Sequence, residues 1–178
     1  MTERDLVRRY LRKGDLGAAR ELFGRYEEGL YRYLWQMLRH QQDSEDALQD
    51  TFRKALQALP RYREESHFKS WLFRIGHNTA LDLIRRRKKV VEMSEGQEEG
   101  LAAGGVGPLE ALEAREQVEE LRRAVAKLPD AEREVVSLRM QADLSFAEIA
   151  KVLGAPLGTV LARMHKAKQR LRTQLAAI

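Results

Sequence analysis

The chain has 178 residues, of which 43% are hydrophobic and 33% charged, and it contains no cysteine. Disulfides and thiolate metal sites are therefore excluded. No run approaches the roughly 20 apolar residues that a membrane-spanning helix needs, so membrane insertion is not expected. The N-terminal residues include no apolar signal segment. We therefore expect a cytoplasmic protein.

Charge is segregated along the chain around a net value of +5. Residues 1–89 carry 20 Lys and Arg against 13 Asp and Glu, and residues 122–178 carry 11 against 5. Between them, residues 90–121 carry one Arg against 9 Glu. Two basic blocks indicate two contacts with a polyanion. Chance clustering in an Arg-rich chain is the alternative.

Helical periodicity dominates the N-terminal half. Apolar residues recur at three- and four-residue steps from Leu16 to Met37, after an Asp15 cap, and again from Ala47 to Leu59 after a start at Asp43. Pro60 ends that second stretch. A third stretch opens at Ser66 and ends in the five consecutive cations of residues 85–89. No alternating β-branched pattern of useful length occurs, so a small helical bundle is predicted.

Residues 91–108 hold five Gly, one Pro and four Glu without an apolar stripe, which is typical of a flexible acidic linker. Periodicity resumes at Leu109, is interrupted at Pro129 and restarts with Asp130 as a predicted cap. Two further helices are predicted at 145–153 and about 157–177. The predicted fold is all-α, with helical domains at residues 1–90 and 111–178 joined by an acidic, Gly-rich linker at 91–110.

The last two helices have the pattern of a DNA-binding helix-turn-helix. Ser145 and Glu148 form a capping box at the first helix, and Gly154 suits its left-handed end. Pro156 suits the start of the second helix. In a helix-turn-helix, that second helix enters the major groove of DNA. An ordinary helical hairpin is the alternative interpretation.

A helical wheel divides the second helix into a buried stripe and an exposed face. The predicted stripe is Leu157, Val160, Met164, Ala167, Leu171 and Leu175. The opposite face carries Thr159, Ala162, His165, Lys166 and Gln169, with Leu161 at the edge of the stripe. Lys166, Arg170 and neighbouring cations suit phosphates, whereas Ala162 and Leu161 suit at most a thymine methyl.

The ordered combination of these segments resembles an extracytoplasmic-function sigma factor of bacterial RNA polymerase. The segments are residues 43–89, including RIGHNTALD at 74–82, the acidic linker, and residues 128–167, including GTVLARMHKA at 158–167. The resemblance covers nearly the whole chain. It implies a two-domain specificity subunit that binds core polymerase, directs promoter-specific initiation, needs no cofactor or metal, and is regulated by an anti-sigma protein.

The resemblance also implies three sets of contact residues. The set implied to dock on the clamp helices of the largest polymerase subunit is Asp43, Glu45, Asp46, Gln49, Asp50 and Arg53. The set implied to bind the −10 element is Arg61, Tyr62, Arg63, Arg74, His77, Asn78, Arg85 and Arg86. The set implied to bind the −35 element is Thr159, Leu161, Ala162, Arg163, His165, Lys166 and Arg170. The C-terminal domain is further implied to contact the flap of the second-largest subunit.

The −35 set departs from the family pattern at two positions. Leu161 stands where the family usually has Lys or Arg, and Ala162 where it usually has Ser. We therefore expect a shifted or relaxed −35 preference. Neither residue is needed for the predicted buried stripe, so the fold is not put in doubt.

The two alternative function classes are a DNA-binding regulator and an enzyme. A dimeric helix-turn-helix regulator would bind an operator tightly without polymerase. An enzyme is disfavoured because the four histidines, at 40, 67, 77 and 165, lack paired metal-ligand spacing, and a cysteine nucleophile is impossible. No phosphate-binding glycine motif is present either.

Overall fold

A computed structural model describes residues 1–63, 67–93 and 112–176. The elements in these ranges are all helical, which confirms the predicted all-α class with two domains. They are α1 (Glu3–Lys13), α2 (Leu16–Gly24), α3 (Glu27–Leu38), α4 (Gln41–Ala58), α5 (Phe68–Met93), α6 (Leu112–Ala126), α7 (Asp130–Ala142), α8 (Phe146–Leu153) and α9 (Leu157–Ala176), with a 3₁₀ turn at Leu59–Arg61.

Local side chains set the helix starts in the N-terminal bundle, α1 to α5. Asp15 accepts a hydrogen bond from the amide of Ala18 and caps α2, as predicted. The periodic stretch from Leu16 is divided between α2 and α3 by a break at residues 25–26. α4 begins two residues before the predicted Asp43, because Nδ1 of His40 accepts from the Asp43 amide and caps the helix there.

Helix α5 is the longest element and packs against both α3 and α4. Gly76 allows its close approach to α3, since a Cβ at this position would lie 2.7 Å from Cδ1 of Leu30. The helix continues to Met93, three residues beyond the predicted domain end at 90. Of the predicted linker, residues 94–110 lie outside the described ranges, as does the predicted start at Ser66.

The C-terminal bundle, α6 to α9, differs from the sequence prediction at two points. Pro129 occupies the cap of α7 and Asp130 is its first residue, because the capping position lies one residue earlier than expected. In α9, Val160, Met164 and Ala167 are buried as expected, but Leu157 and Leu175 are 46% and 39% exposed. Both lie near the ends of the helix, where α9 extends past the helices that cover it.

The two bundles pack against each other along a surface that we call the seam. α3 lies on α7, and α5 lies on α8. Gly29 allows a close approach here, since a Cβ at this position would lie 2.6 Å from the carbonyl oxygen of Gln141. A cavity of about 60 Å³ also lies in the seam, lined by Tyr33, Gln36, Met37 and Ile84 on one side and Asp130, Arg133, Glu134 and Ser137 on the other.

Candidate protein and nucleic-acid interfaces

Helix α4 presents a polar face opposite a buried one. Ser44, Ala47, Thr51 and Ala55 are buried, whereas Asp46, Gln49 and Arg53 are exposed. Asp43, Glu45 and Asp50 lie half-buried beside them. The six residues predicted to dock on a protein therefore follow one side of a single helix. That side offers carboxylates, an amide and a guanidinium in one row.

Hydrogen bonds hold several of these groups in place. Arg53 Nε donates to Oδ1 of Asp50 at 3.1 Å, and Lys54 lies 3.1 Å from the other oxygen of that carboxylate. The hydrogen bond from Arg53 is the main reason that the pKa of Asp50 is lowered. Asp43 forms an ion pair with Arg87 near the end of α5. The acidic face of α4 is thereby linked to the basic end of α5, a link that the sequence prediction missed.

Helix α5 carries a second candidate face. Arg74, Asn78 and Arg85 are exposed, and their spacing of four and seven residues places them on the same side. Arg86 is exposed but points away by about 100° of helical rotation from Arg85. Arg85 is 3.6 Å from Asp82, a weak surface pair that leaves the guanidinium accessible. This face combines an amide, which both donates and accepts hydrogen bonds, with two cations.

His77 does not join that face, although it belonged to the predicted −10 set. It is 5% exposed, and its Nδ1 lies 2.8 Å from the Tyr33 hydroxyl in the interior. Burial lowers the pKa of His77 to about 4, so the ring is neutral at neutral pH. The structure therefore places His77 in the interior against Tyr33, whereas the adjacent Asn78 is exposed.

Residues 61–63, which precede α5 in the chain, include three more members of the predicted −10 set. Arg61 and Arg63 are exposed, and Tyr62 is half-buried. The Tyr62 ring packs on Trp71 at a centroid distance of 5.0 Å and meets Phe68 edge-on at 5.6 Å. Stacking of Tyr62 on a base, as predicted, therefore uses only the part of the ring that these neighbours leave accessible.

The geometry of α8 and α9 matches the predicted helix-turn-helix. Ser145 and Glu148 form the expected capping box, with the Glu148 carboxylate accepting from the Ser145 amide at 2.8 Å. Gly154 ends α8 with φ of 60°, in the left-handed region that glycine adopts at little cost. Ile149 and Val160 are fully buried in the angle between the two helices.

The predicted −35 residues separate into two groups on α9. Leu161, Ala162, His165 and Lys166 are exposed together. Thr159 and Arg163 are half-buried. Burial raises the pKa of Glu134 on α7, and the nearby guanidinium of Arg163 offsets part of that rise. Arg170 Nε lies 3.1 Å from Oε2 of the buried Glu132 on α7. Arg170 therefore holds α9 onto α7, and the prediction that it contacts DNA stays a prediction.

The structure also brings together two polar groups that sequence reasoning missed, the buried Tyr33 and the half-buried Glu134. Tyr33 is fully buried in the seam, where burial and the nearby carboxylate of Glu134 raise its pKa well above the ordinary value. No sequence signal marks this pair, because its members come from different halves of the chain. Among residues 1–63, 67–93 and 112–176, no group of three or more His, Asp or Glu side chains suits a metal ion. In the same ranges, no helix is long and apolar enough to cross a membrane.

Comparison with known proteins identifies both halves. The model for Sigma-70 region 2 matches residues 22–90, and the model for Sigma-70 region 4 matches residues 118–171. The ECF RNA polymerase sigma factor SigW of Bacillus subtilis is 31% identical, covering 93% of this chain and 92% of that protein. The ECF RNA polymerase sigma-E factor of Salmonella typhimurium is 32% identical, covering 95% and 92%.

Solved structures give the same answer for the fold. CnrH in complex with the cytosolic domain of CnrY has a TM-score of 0.70 at 27% identity and covers 98% of this chain and 97% of CnrH. The sigma factor RpoE of Bartonella quintana, solved with the anti-sigma factor NepR, has a TM-score of 0.76 at 24% identity and covers 88% and 96%. The two sigma-70 regions match in order, and the relatives are matched over more than nine-tenths of both chains. The chain therefore belongs to the extracytoplasmic-function sigma factors of bacterial RNA polymerase.

Proposed function

We propose that this sigma factor docks on core RNA polymerase through the polar face of α4 and contacts the promoter through α5 and α9. The observation that carries the proposal is that each bundle presents its own exposed face suited to nucleic acid, one of them beside an acidic face suited to protein. As a specificity subunit, the chain supplies binding and no catalytic residue of its own.

The −10 element is assigned to the exposed face of α5. Asn78 offers an amide edge to an unstacked base, and an amide both donates and accepts there. Arg74 and Arg85 on the same side, with Arg61, Arg63 and Arg86 nearby, suit the phosphates of the strand. The Asp43–Arg87 ion pair then joins polymerase docking to the −10 surface.

The −35 element is assigned to α9 in the major groove. Lys166 and the following cations contact phosphates, which supply affinity without sequence information. The positions −10 and −35 are about 25 base pairs apart, roughly 85 Å of B-form DNA. The longest helix here spans roughly 39 Å. Simultaneous contact with both elements is therefore proposed to involve separation of the two bundles, which pack on each other along the seam.

Closed packing of the bundles also suits regulation by an anti-sigma protein. CnrH and RpoE of Bartonella quintana were each solved with a protein partner, CnrY and NepR. A partner that holds the seam closed keeps α5 and α9 too near one another for a promoter. The factor then acts in the cytoplasm, where its polymerase is found.

Run-off transcription tests the proposal. Bacterial core polymerase is supplied with templates randomised at −35 and −10, with and without the full chain. Defined transcripts that require the protein are expected. Tight, specific binding of duplex DNA by the protein alone, without any protein-dependent transcript, would instead favour a dimeric operator-binding regulator.

A further inference from the structure

The exposed side of α9 changes character along its length. Leu161, His165, Lys168 and Arg172 follow one another at three- and four-residue steps and are all exposed. The cations lie in the C-terminal half of this row, and its N-terminal position is a leucine. In a helix-turn-helix, it is the N-terminal residues of the second helix that contact base edges.

The N-terminal end of that side forms an uncharged patch, which we call the methyl patch: Gly158, Leu161 and Ala162. Leu161 is 45% exposed, although Val160 before it is fully buried. A Cβ at Gly158 would meet no atom of the protein within 4 Å, so the backbone there lies open to a close neighbour. None of the three side chains donates or accepts a hydrogen bond.

The patch itself carries no group that hydrogen-bonds a base, and the first exposed polar side chains after it on α9 are His165 and Lys166. Guanine is selected by Arg or Lys and adenine by Asn or Gln. The only cation among residues 157–165 is Arg163, which is half-buried beside Glu134 of α7. The half-buried Thr159 is the only hydroxyl in that stretch. Within residues 157–162 no exposed side chain donates a bidentate hydrogen bond, and the nearest exposed cation, Lys166, lies one helical turn beyond Ala162.

We infer that the methyl patch selects thymine in the −35 element through contact with the C5 methyl group. Thymine is the only unmodified base that presents an apolar group in the major groove. Leu161 over guanine or cytosine would remove water from polar base atoms without replacing their hydrogen bonds, which disfavours both. Lys168 and Arg172 on the same side give the patch a neighbouring phosphate contact, so duplex DNA is its partner.

This inference rests on the proposed function, and its test begins from a promoter that the full chain and core polymerase transcribe. Each −35 thymine is replaced singly by uracil, which lacks only the C5 methyl group. Removal of one buried methyl predicts a loss of about fourfold in run-off transcript or promoter occupancy. Replacing a −35 cytosine by 5-methylcytosine at a position where thymine also functions is expected to increase occupancy by a similar factor.

Protein variants assign the effect to the patch. Leu161→Ala and Ala162→Gly each remove part of the patch. In each variant, uracil substitution at the thymine that the removed group contacts is expected to cause little further loss of transcript, as in a double-mutant cycle. Leu175→Ala is the matched control, because this leucine is also exposed on α9 but lies near its far end. It should keep the full uracil effect.

Three results would overturn the inference: a selected −35 element without thymine, uracil substitutions that change nothing, or uracil losses that persist in both patch variants. If transcription stays sensitive to Leu161→Arg but never to the methyl groups, the patch binds protein instead of bases. Failure to obtain any protein-dependent transcript would count against the proposed function, and the inference would fall with it.

Discussion

The helices assigned to the two promoter elements differ in chemistry and in how they are held. α5 is held by α3 and α4 within its own bundle and presents an amide between two cations. α9 is held by α6, α7 and α8 and presents a leucine and an alanine ahead of its cations. An amide suits the polar edge of an unstacked base, whereas methyl groups suit the floor of a duplex groove. Each face therefore matches a different state of the DNA.

The comparison is tested most strongly at Asn78, the polar residue on the α5 face. Asn78→Ala removes the amide edge and is expected to reduce promoter-dependent transcription by about 5- to 150-fold, because a bidentate base contact contributes ~1–3 kcal/mol. Run-off assays on one fixed promoter measure the loss. Gln57→Ala removes an exposed amide from α4 and serves as the control. Equal losses in both variants would remove the special role of Asn78.

Histidine burial provides a second contrast between the two helices, because His77 is buried whereas His165 is exposed. With its pKa lowered to about 4, His77 stays neutral in the fold while the unfolded chain takes up a proton near pH 6.5. The unfolded state then binds more protons between these values, so stability falls as pH falls through this window. The contribution of His77 to the free energy of unfolding is expected to be lower at pH 5 than at pH 7 by about 2 kcal/mol.

Urea unfolding at both pH values measures that difference. His77→Gln should reduce the pH dependence, and His165→Gln should leave it unchanged. A pH dependence that survives His77→Gln in full would contradict the assigned burial of the ring.

The seam between the two regions is tested at Gly29. A methyl group at Gly29 would press on the backbone carbonyl of Gln141, which has little freedom to move, so Gly29→Ala should weaken the contact between bundles by about 1–2 kcal/mol. Gly24→Ala is the control, since a Cβ at Gly24 meets nothing within 4 Å. Because the chain has no cysteine, Leu16→Cys and Leu175→Cys allow dyes to be placed on the two bundles. Energy transfer should fall in Gly29→Ala alone, and equal transfer in both variants would argue against the close approach.

The smallest expected effect separates structural from DNA-binding cations on α9. Arg170→Gln leaves the buried carboxylate of Glu132 without its ion pair. The free energy of unfolding should fall by about 1 kcal/mol, which is less than for a fully buried pair because the arginine is half exposed. Arg172→Gln should leave stability unchanged and weaken DNA binding. Urea unfolding and salt-dependent DNA binding measure the two effects. The assignment is wrong if the two variants exchange these effects.

Much of the fold was predictable because its signals are local. The capping box at Ser145, the glycine at Gly154 and the apolar periodicity each depend on neighbours within one or two turns, and the structure has them where predicted. The break at residues 25–26 was missed, because apolar periodicity continues across it from Phe23 to Tyr26, although Gly24 stands at the end of α2.

The candidate sites were predictable only in part, because burial depends on distant segments. His77 lies one residue from Asn78, and only the packing of α3 against α5 decides that the histidine turns inward to Tyr33. Arg170 resembles its exposed neighbours in sequence, yet Glu132, 38 residues away, engages it. The seam at Gly29 involves no local pattern at all, since its partner Gln141 belongs to the other bundle.

A selection experiment tests whether α5 and α9 read the two promoter elements by different chemistry. Templates randomised at both elements are transcribed by core polymerase with the wild-type chain, Asn78→Ala or Leu161→Arg. We expect Asn78→Ala to relax the selected −10 sequence alone, and Leu161→Arg to replace thymine by guanine in the −35 sequence alone. Selected sequences that change in the same element for both variants, or in neither element, would contradict this expectation.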